Sequence, residues 1–176
     1  MSLEQAAYLS QVIAGLAVLA SLLFVGIQIR QNTRSQKVVA VNALTAAIAA
    51  INVPAMESPA LGDALSTVFQ DWDSATREQR ILAHFFLFSF FKLSESAWYQ
   101  RRNDVLDEQQ WIGWETLLRA MYHAEGVKNG CWSHRKSAYS PQFQAHLART
   151  ERPFAEMGSL YELFGPPAPA PTNRGT

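Results

Sequence analysis

From Ala6 to Ile29 the chain carries no charged side chain, and the run ends abruptly in Arg30, Gln31, Asn32, Thr33, Arg34, Ser35, Gln36 and Lys37. As helix, a stretch of this length reaches about 36 Å at 1.5 Å per residue, enough to cross a hydrocarbon core of about 30 Å. The pattern predicts one transmembrane helix. A cleaved secretory signal would start with a basic region and end in a small-residue cleavage site, whereas the segment before the run holds only Glu4 as a charge and the run exits through Phe24 to Arg30. A buried helix of a soluble domain would keep a polar face over such a length. Lys and Arg are retained on the cytoplasmic side of a span. Arg30, Arg34 and Lys37 follow this one and no Lys or Arg precedes it, so the expected location is the inner (plasma) membrane, N-terminus outside and the rest cytoplasmic.

After Lys37 the pattern changes but stays helical. Val38, Val41, Leu44, Ile48 and Ile51 recur at intervals of three and four in a stretch without charge. Nothing between Ile29 and Val38 breaks a helix, so the membrane helix is expected to run on to about Asn52, stopped by Pro54. A second short span over 38–53 is the rival reading, but its length reaches only about 24 Å. Ser58 and Pro59 then read as N-cap and first residue of a helix to about residue 70, and Asp73 or Ser74 as the cap of the longest helix of the domain. Between Ile81 and Leu93 that helix is apolar nearly all round, which predicts a central, covered element. Asp107 with Gln110 resembles a capping box opening a helix to about residue 124, carrying Trp111, Trp114, Leu117, Leu118 and Met121. Gly126 and the Asn129, Gly130 pair interrupt the pattern before a short helix or structured loop with Cys131, Trp132 and Tyr139. Ser140 and Pro141 open a last helix with Phe143 and Leu147. No strand alternation is present. The expected fold is all-α: an N-terminal transmembrane helix continuing into a cytoplasmic bundle of about five helices, divided as anchor 1–30, helical domain 31–155 and flexible Pro-rich tail 156–176.

Composition narrows function without naming it. Of the 176 residues, 15 are Lys or Arg and 15 are Asp or Glu, so zero net charge offers no general attraction to nucleic acid. The partners expected are the lipid bilayer and another membrane protein or a second copy, approached through the small residues Ser10, Ala14, Ala17 and Ser21 on one helical face. A single cysteine, Cys131, allows no internal disulfide, in keeping with a cytoplasmic domain. His84, His123, His134 and His146 have no Glu or Asp at the spacing of a di-iron motif, and no phosphate-cradling glycine loop or nucleophile elbow occurs, so no metal, cofactor or catalytic residue is assigned. The residues expected to meet a ligand or partner are His84, Phe88, Trp111, Trp114 and Trp132: an imidazole among phenylalanines, and tryptophans that fill grooves.

Phe24, Val25, Gly26, Ile27, Gln28, Ile29, Arg30, Gln31, Asn32, Thr33 and Arg34 resemble the start of a large group of uncharacterised bacterial single-pass membrane proteins. The resemblance returns at Gly130, Cys131, Trp132 and at Tyr139, Ser140, Pro141, Phe143, with Cys131 standing where that group often has an aromatic or small residue. It implies an inner-membrane helical protein and no particular activity. The function expected is therefore a membrane-anchored binding or scaffolding module. A domain holding a hydrophobic ligand or lipid between the 81–93 helix and the Trp111, Trp114 helix is the alternative. An enzyme using His84, His123 or the Cys131, His134 pair is the third reading.

Overall fold

The computed structural model describes residues 3–153; the Pro-rich tail expected at 156–176 lies outside them. Among the described residues every regular element is helical. Helix α1 spans Leu3–Glu57, α2 Pro59–Gln70, α3 Arg77–Arg102 and α4 Glu108–Tyr122. A π-helical turn, Val127–Trp132, leads into the single turn α5, Ser133–Arg135, then a 3₁₀ turn, Lys136–Ala138, and finally α6, Pro141–Arg149. The chain forms two compact units, Met1–Asn42 and Ala43–Thr176.

The first unit is a stretch of α1. Its large apolar side chains Leu16, Leu19, Leu22, Leu23, Phe24 and Ile27 are exposed, and none of the described residues covers them. The helix is long and apolar enough to cross a membrane. Ser21 donates its hydroxyl to the Ala17 carbonyl at 2.8 Å, and Thr33 donates to Ile29 at 2.9 Å, so both hydroxyls are satisfied within the helix. The side chain of Ser10 lies outside those described.

In the second unit, α1 continues past the expected stop. Pro54 sits inside the helix, which ends at Glu57. Proline removes one N–H bond to the carbonyl four residues back, and so close to the C-terminus a single lost bond does not end the helix. Of the apolar stripe, Leu44 is buried and Ile48 and Ile51 are half-buried. Helix α2 opens as its sequence dictates, with Ser58 Oγ accepting the Leu61 N–H at 3.3 Å ahead of Pro59. The cap of α3 is Thr76, however, and neither Asp73 nor Ser74. Thr76 Oγ1 accepts the Gln79 N–H at 3.2 Å while Gln79 Oε1 accepts the Thr76 N–H at 2.9 Å, a reciprocal box. Asp71 holds the preceding turn, its carboxylate accepting the Asp73 N–H at 3.0 Å.

The core is built around α3, whose Ala83, Leu87, Phe90, Phe91, Ala97 and Trp98 are buried. Phe143 of α6, fully buried, lies within 5.8 Å of Trp98 and 6.4 Å of Trp132 by ring centroid, and Trp132 stacks on Tyr139 at 4.9 Å. Glu95 ties α3 to the start of α6: one carboxylate oxygen accepts the Ser140 N–H at 2.6 Å and the other pairs with Lys92 at 2.9 Å. Burial pushes the Glu95 carboxyl up, but the Ser140 amide and the Lys92 ammonium outweigh it and hold the group below its ordinary value. The expected cover over 81–93 is incomplete. Ile81, Leu82 and Phe85 are exposed, so the first turns of α3 present an apolar face outward.

The glycines of the π-helical turn explain how it seats. A Cβ at Gly126 would strike the Val68 carbonyl oxygen and come within 2.8 Å of the Trp72 nitrogen, and a Cβ at Gly130 would run into the Trp72 side chain. These glycines do not break a helix here. They let the turn lie directly on the end of α2.

Candidate functional site

Seating the π-helical turn against the end of α2 opens a cleft beside it. Trp72, from the α2–α3 connection, forms one wall; Arg77, Arg80, Ile81, His84 and Phe85 project from the first turns of α3; Cys131, His134 and Arg135 close the other side. The α3 residues share a face because they recur three or four positions apart. The cleft is open to solvent and encloses about 870 Å³, within the range of small-molecule sites.

Its chemistry is one-sided. Three guanidiniums line it and no carboxylate does. Arg80 is fixed in place, donating from Nε to the Ala75 carbonyl at 2.9 Å and from Nη2 to the Asp73 carbonyl at 3.0 Å. Arg77 and Arg135 are exposed and have no acidic partner among the described residues. Burial, helped by the nearby Arg135 charge, holds the His84 imidazole below its ordinary value, and its ring lies 5.4 Å from Phe85 and 6.0 Å from Phe88 by centroid. Phe85, at the mouth, is 66% exposed, which is unusual for a phenylalanine held on a rigid helix.

Cys131 and His134 both line the cleft, but no hydrogen bond joins them among the described residues. Burial pushes the Cys131 thiol up to about 11 even though Arg135 pulls the other way. His134 turns Nδ1 to the Gly130 carbonyl at 2.7 Å and to Ser133 Oγ at 3.1 Å. His123 is spent on Thr150, 3.0 Å from its hydroxyl.

The structure distributes the sequence-selected residues unevenly. His84 opens into the cleft. Phe88 is half-buried between His84 and Tyr139, and Trp132 is buried in the aromatic core. Trp111 is buried 6.1 Å from the His146 ring, and Trp114, half-buried on α4, has no acceptor for its indole N–H among the described residues. His146 Nε2 lies 3.5 Å from Glu115 without hydrogen-bonding geometry, and burial keeps that imidazole below its ordinary value, so the pair is not an ion pair at neutral pH. The arginines, Trp72, Ile81 and Phe85 were missed by sequence. The available signal was the spacing of Gly126 and Gly130, four apart on one face of a helical turn.

No protein-family model, curated protein or solved structure matches this chain.

Proposed function

We propose that this is a single-pass membrane protein whose helical domain faces the cytoplasm and works by binding rather than by catalysis. The observation that carries the reading is the cleft of Trp72, Arg77, Arg80, His84, Phe85 and Arg135, a positively charged and aromatic recess on the domain surface. Its lining suits recognition: guanidiniums bind anions in fixed geometry and aromatic side chains give apolar contact at low entropic cost. Its thiol and the His134 imidazole are not set up for nucleophilic work, since burial pushes the Cys131 thiol up to about 11 and His134 Nδ1 is engaged by the Gly130 carbonyl. Membrane attachment is supported by the uncovered apolar surface of α1, and the orientation by Arg30, Arg34 and Lys37 after it. The resemblance to the bacterial single-pass group agrees with both.

The test is a photo-reactive amino acid placed at Phe85 in the full chain in its membrane, with the same group at exposed Ile112 on α4 as control. The reading predicts an adduct at residue 85 that is absent at 112 and is suppressed by Arg135→Gln. Equal labelling at both positions, or none at 85, contradicts it. Orientation is checked separately by protease accessibility in right-side-out and inverted vesicles: the domain should be cut only in the inverted ones.

A further inference from the structure

We infer that the cleft takes a single-chain anionic amphiphile, an alkyl chain ending in a phosphate or carboxylate; the inference rests on the cleft being the binding site. Two sets of side chains divide its surface. Arg77, Arg80 and Arg135 supply the charge, and the lining contains no Asp or Glu to neutralise them. A free anion of small size would satisfy these groups alone. The remaining lining is apolar: Trp72 and Ile81 along the wall and Phe85 at the mouth, with Leu82 exposed beside it. Apolar surface exposed to water is unfavourable and clustered like charges repel one another, and one molecule carrying both an anionic head and an apolar chain covers the first and offsets the second.

The geometry orders the two parts. Arg80 is anchored by the Ala75 and Asp73 carbonyls, 2.9 and 3.0 Å away, so it meets a head group without losing rotamer freedom, while the side chains of Arg77 and Arg135 are free of hydrogen bonds to the described residues and can close on it from opposite sides. A guanidinium pair around one head group favours an oxyanion with several acceptors. His84, its imidazole held below the ordinary value by burial and by Arg135, lines the same cleft alongside the arginines and Phe85. The volume of about 870 Å³ accommodates a chain in addition to the head.

The test is a titration of the full chain in phosphatidylcholine nanodiscs, read by tryptophan fluorescence because Trp72 lines the cleft. Octyl phosphate, octanol and inorganic phosphate are compared, on the wild type, on Arg135→Gln and on the control Arg149→Gln, which lies on α6 away from the cleft lining. The Arg135 side chain makes no hydrogen bond to the described residues, and an unchanged thermal midpoint shows that its variant is folded. Octyl phosphate should bind at least about tenfold tighter than either fragment, and Arg135→Gln should weaken it by about 10- to 100-fold, the loss expected for one charge-assisted bond, with Arg149→Gln unchanged. Inorganic phosphate binding as tightly as octyl phosphate overturns the inference in favour of a soluble anion, and octanol doing so overturns it in favour of a neutral ligand; either leaves the cleft a binding site. No response to any of the three overturns the site itself.

Discussion

Adding one methyl group to glycine should change the stability of this domain in opposite directions at two positions. At Gly126 the three atoms nearest the new Cβ are all backbone: the Val68 carbonyl oxygen, the Trp72 nitrogen at 2.8 Å and the Asp71 nitrogen at 2.9 Å. Backbone at the end of α2 cannot rotate out of the way as a side-chain tip can, so with the Val68 oxygen closest of the three the π-helical turn must lift off α2 by about an ångström or more. Overpacking of this kind costs about 1–3 kcal/mol, and contact with three backbone atoms argues for about 2–3 kcal/mol. At about 3–6 °C per kcal/mol for a domain of this size, Gly126→Ala should lower Tm by roughly 6–18 °C. Gly113 lies inside α4 with nothing within 4 Å of its would-be Cβ. There alanine removes the entropic penalty of glycine in a helix, and Gly113→Ala should raise Tm by roughly 2–5 °C, for about 0.5–1 kcal/mol. All five tryptophans, Trp72, Trp98, Trp111, Trp114 and Trp132, lie outside the apolar helix α1, so thermal melts of the full chain followed by tryptophan fluorescence report the domain alone. Equal midpoints for the two variants, or a Gly126→Ala variant as stable as wild type, would refute the seating of the turn on α2 and with it the shape of the cleft.

Other expectations concern single groups. Glu95→Ala should cost about 1.5–3 kcal/mol in chemical denaturation because it leaves the Ser140 N–H without its carboxylate acceptor, whereas Glu95→Gln should cost less. Cys131, with its thiol pushed up to about 11, should react with iodoacetamide at pH 8 about 100-fold more slowly in the folded chain than in urea; a rate near that of the unfolded chain would contradict the burial. Burial lowers the imidazoles of His84, His123 and His146. The unfolded state therefore binds more protons, and the stability these groups contribute is complete above the ordinary imidazole value of about 6.5 and is lost as pH falls below it. Melting midpoints should accordingly drop from pH 7.5 towards pH 5, with Glu95, also lowered, adding to the loss once pH falls through its ordinary carboxyl value; a midpoint that rises on acidification would refute the assignment.

Local rules were legible in the sequence wherever a single turn decides the outcome. Ser58 with Pro59, Asp107 with Gln110 and Ser140 with Pro141 each mark the helix start that the structure adopts. The cap of α3 was misplaced because Asp73 and Ser74 offer the same side-chain oxygens as Thr76, and only the reciprocal bond from Gln79 decides among them. The cleft was not legible. It depends on residues 72–85 meeting residues 131–135, a contact across more than forty positions, and on glycines at 126 and 130 that look like helix breakers until the end of α2 is placed on them. Phe85 and Ile81 were assigned to the core for the same reason: an apolar helix reads as covered from every side until its neighbours leave one side open.

Hydrogen exchange of the full chain in nanodiscs, with and without saturating octyl phosphate, tests the central claim most directly. The account predicts ligand-dependent protection confined to the start of α3 and to residues 131–135, the two sides of the cleft. Protection centred on Trp111 and Trp114 of α4, or none anywhere in the domain, would contradict it.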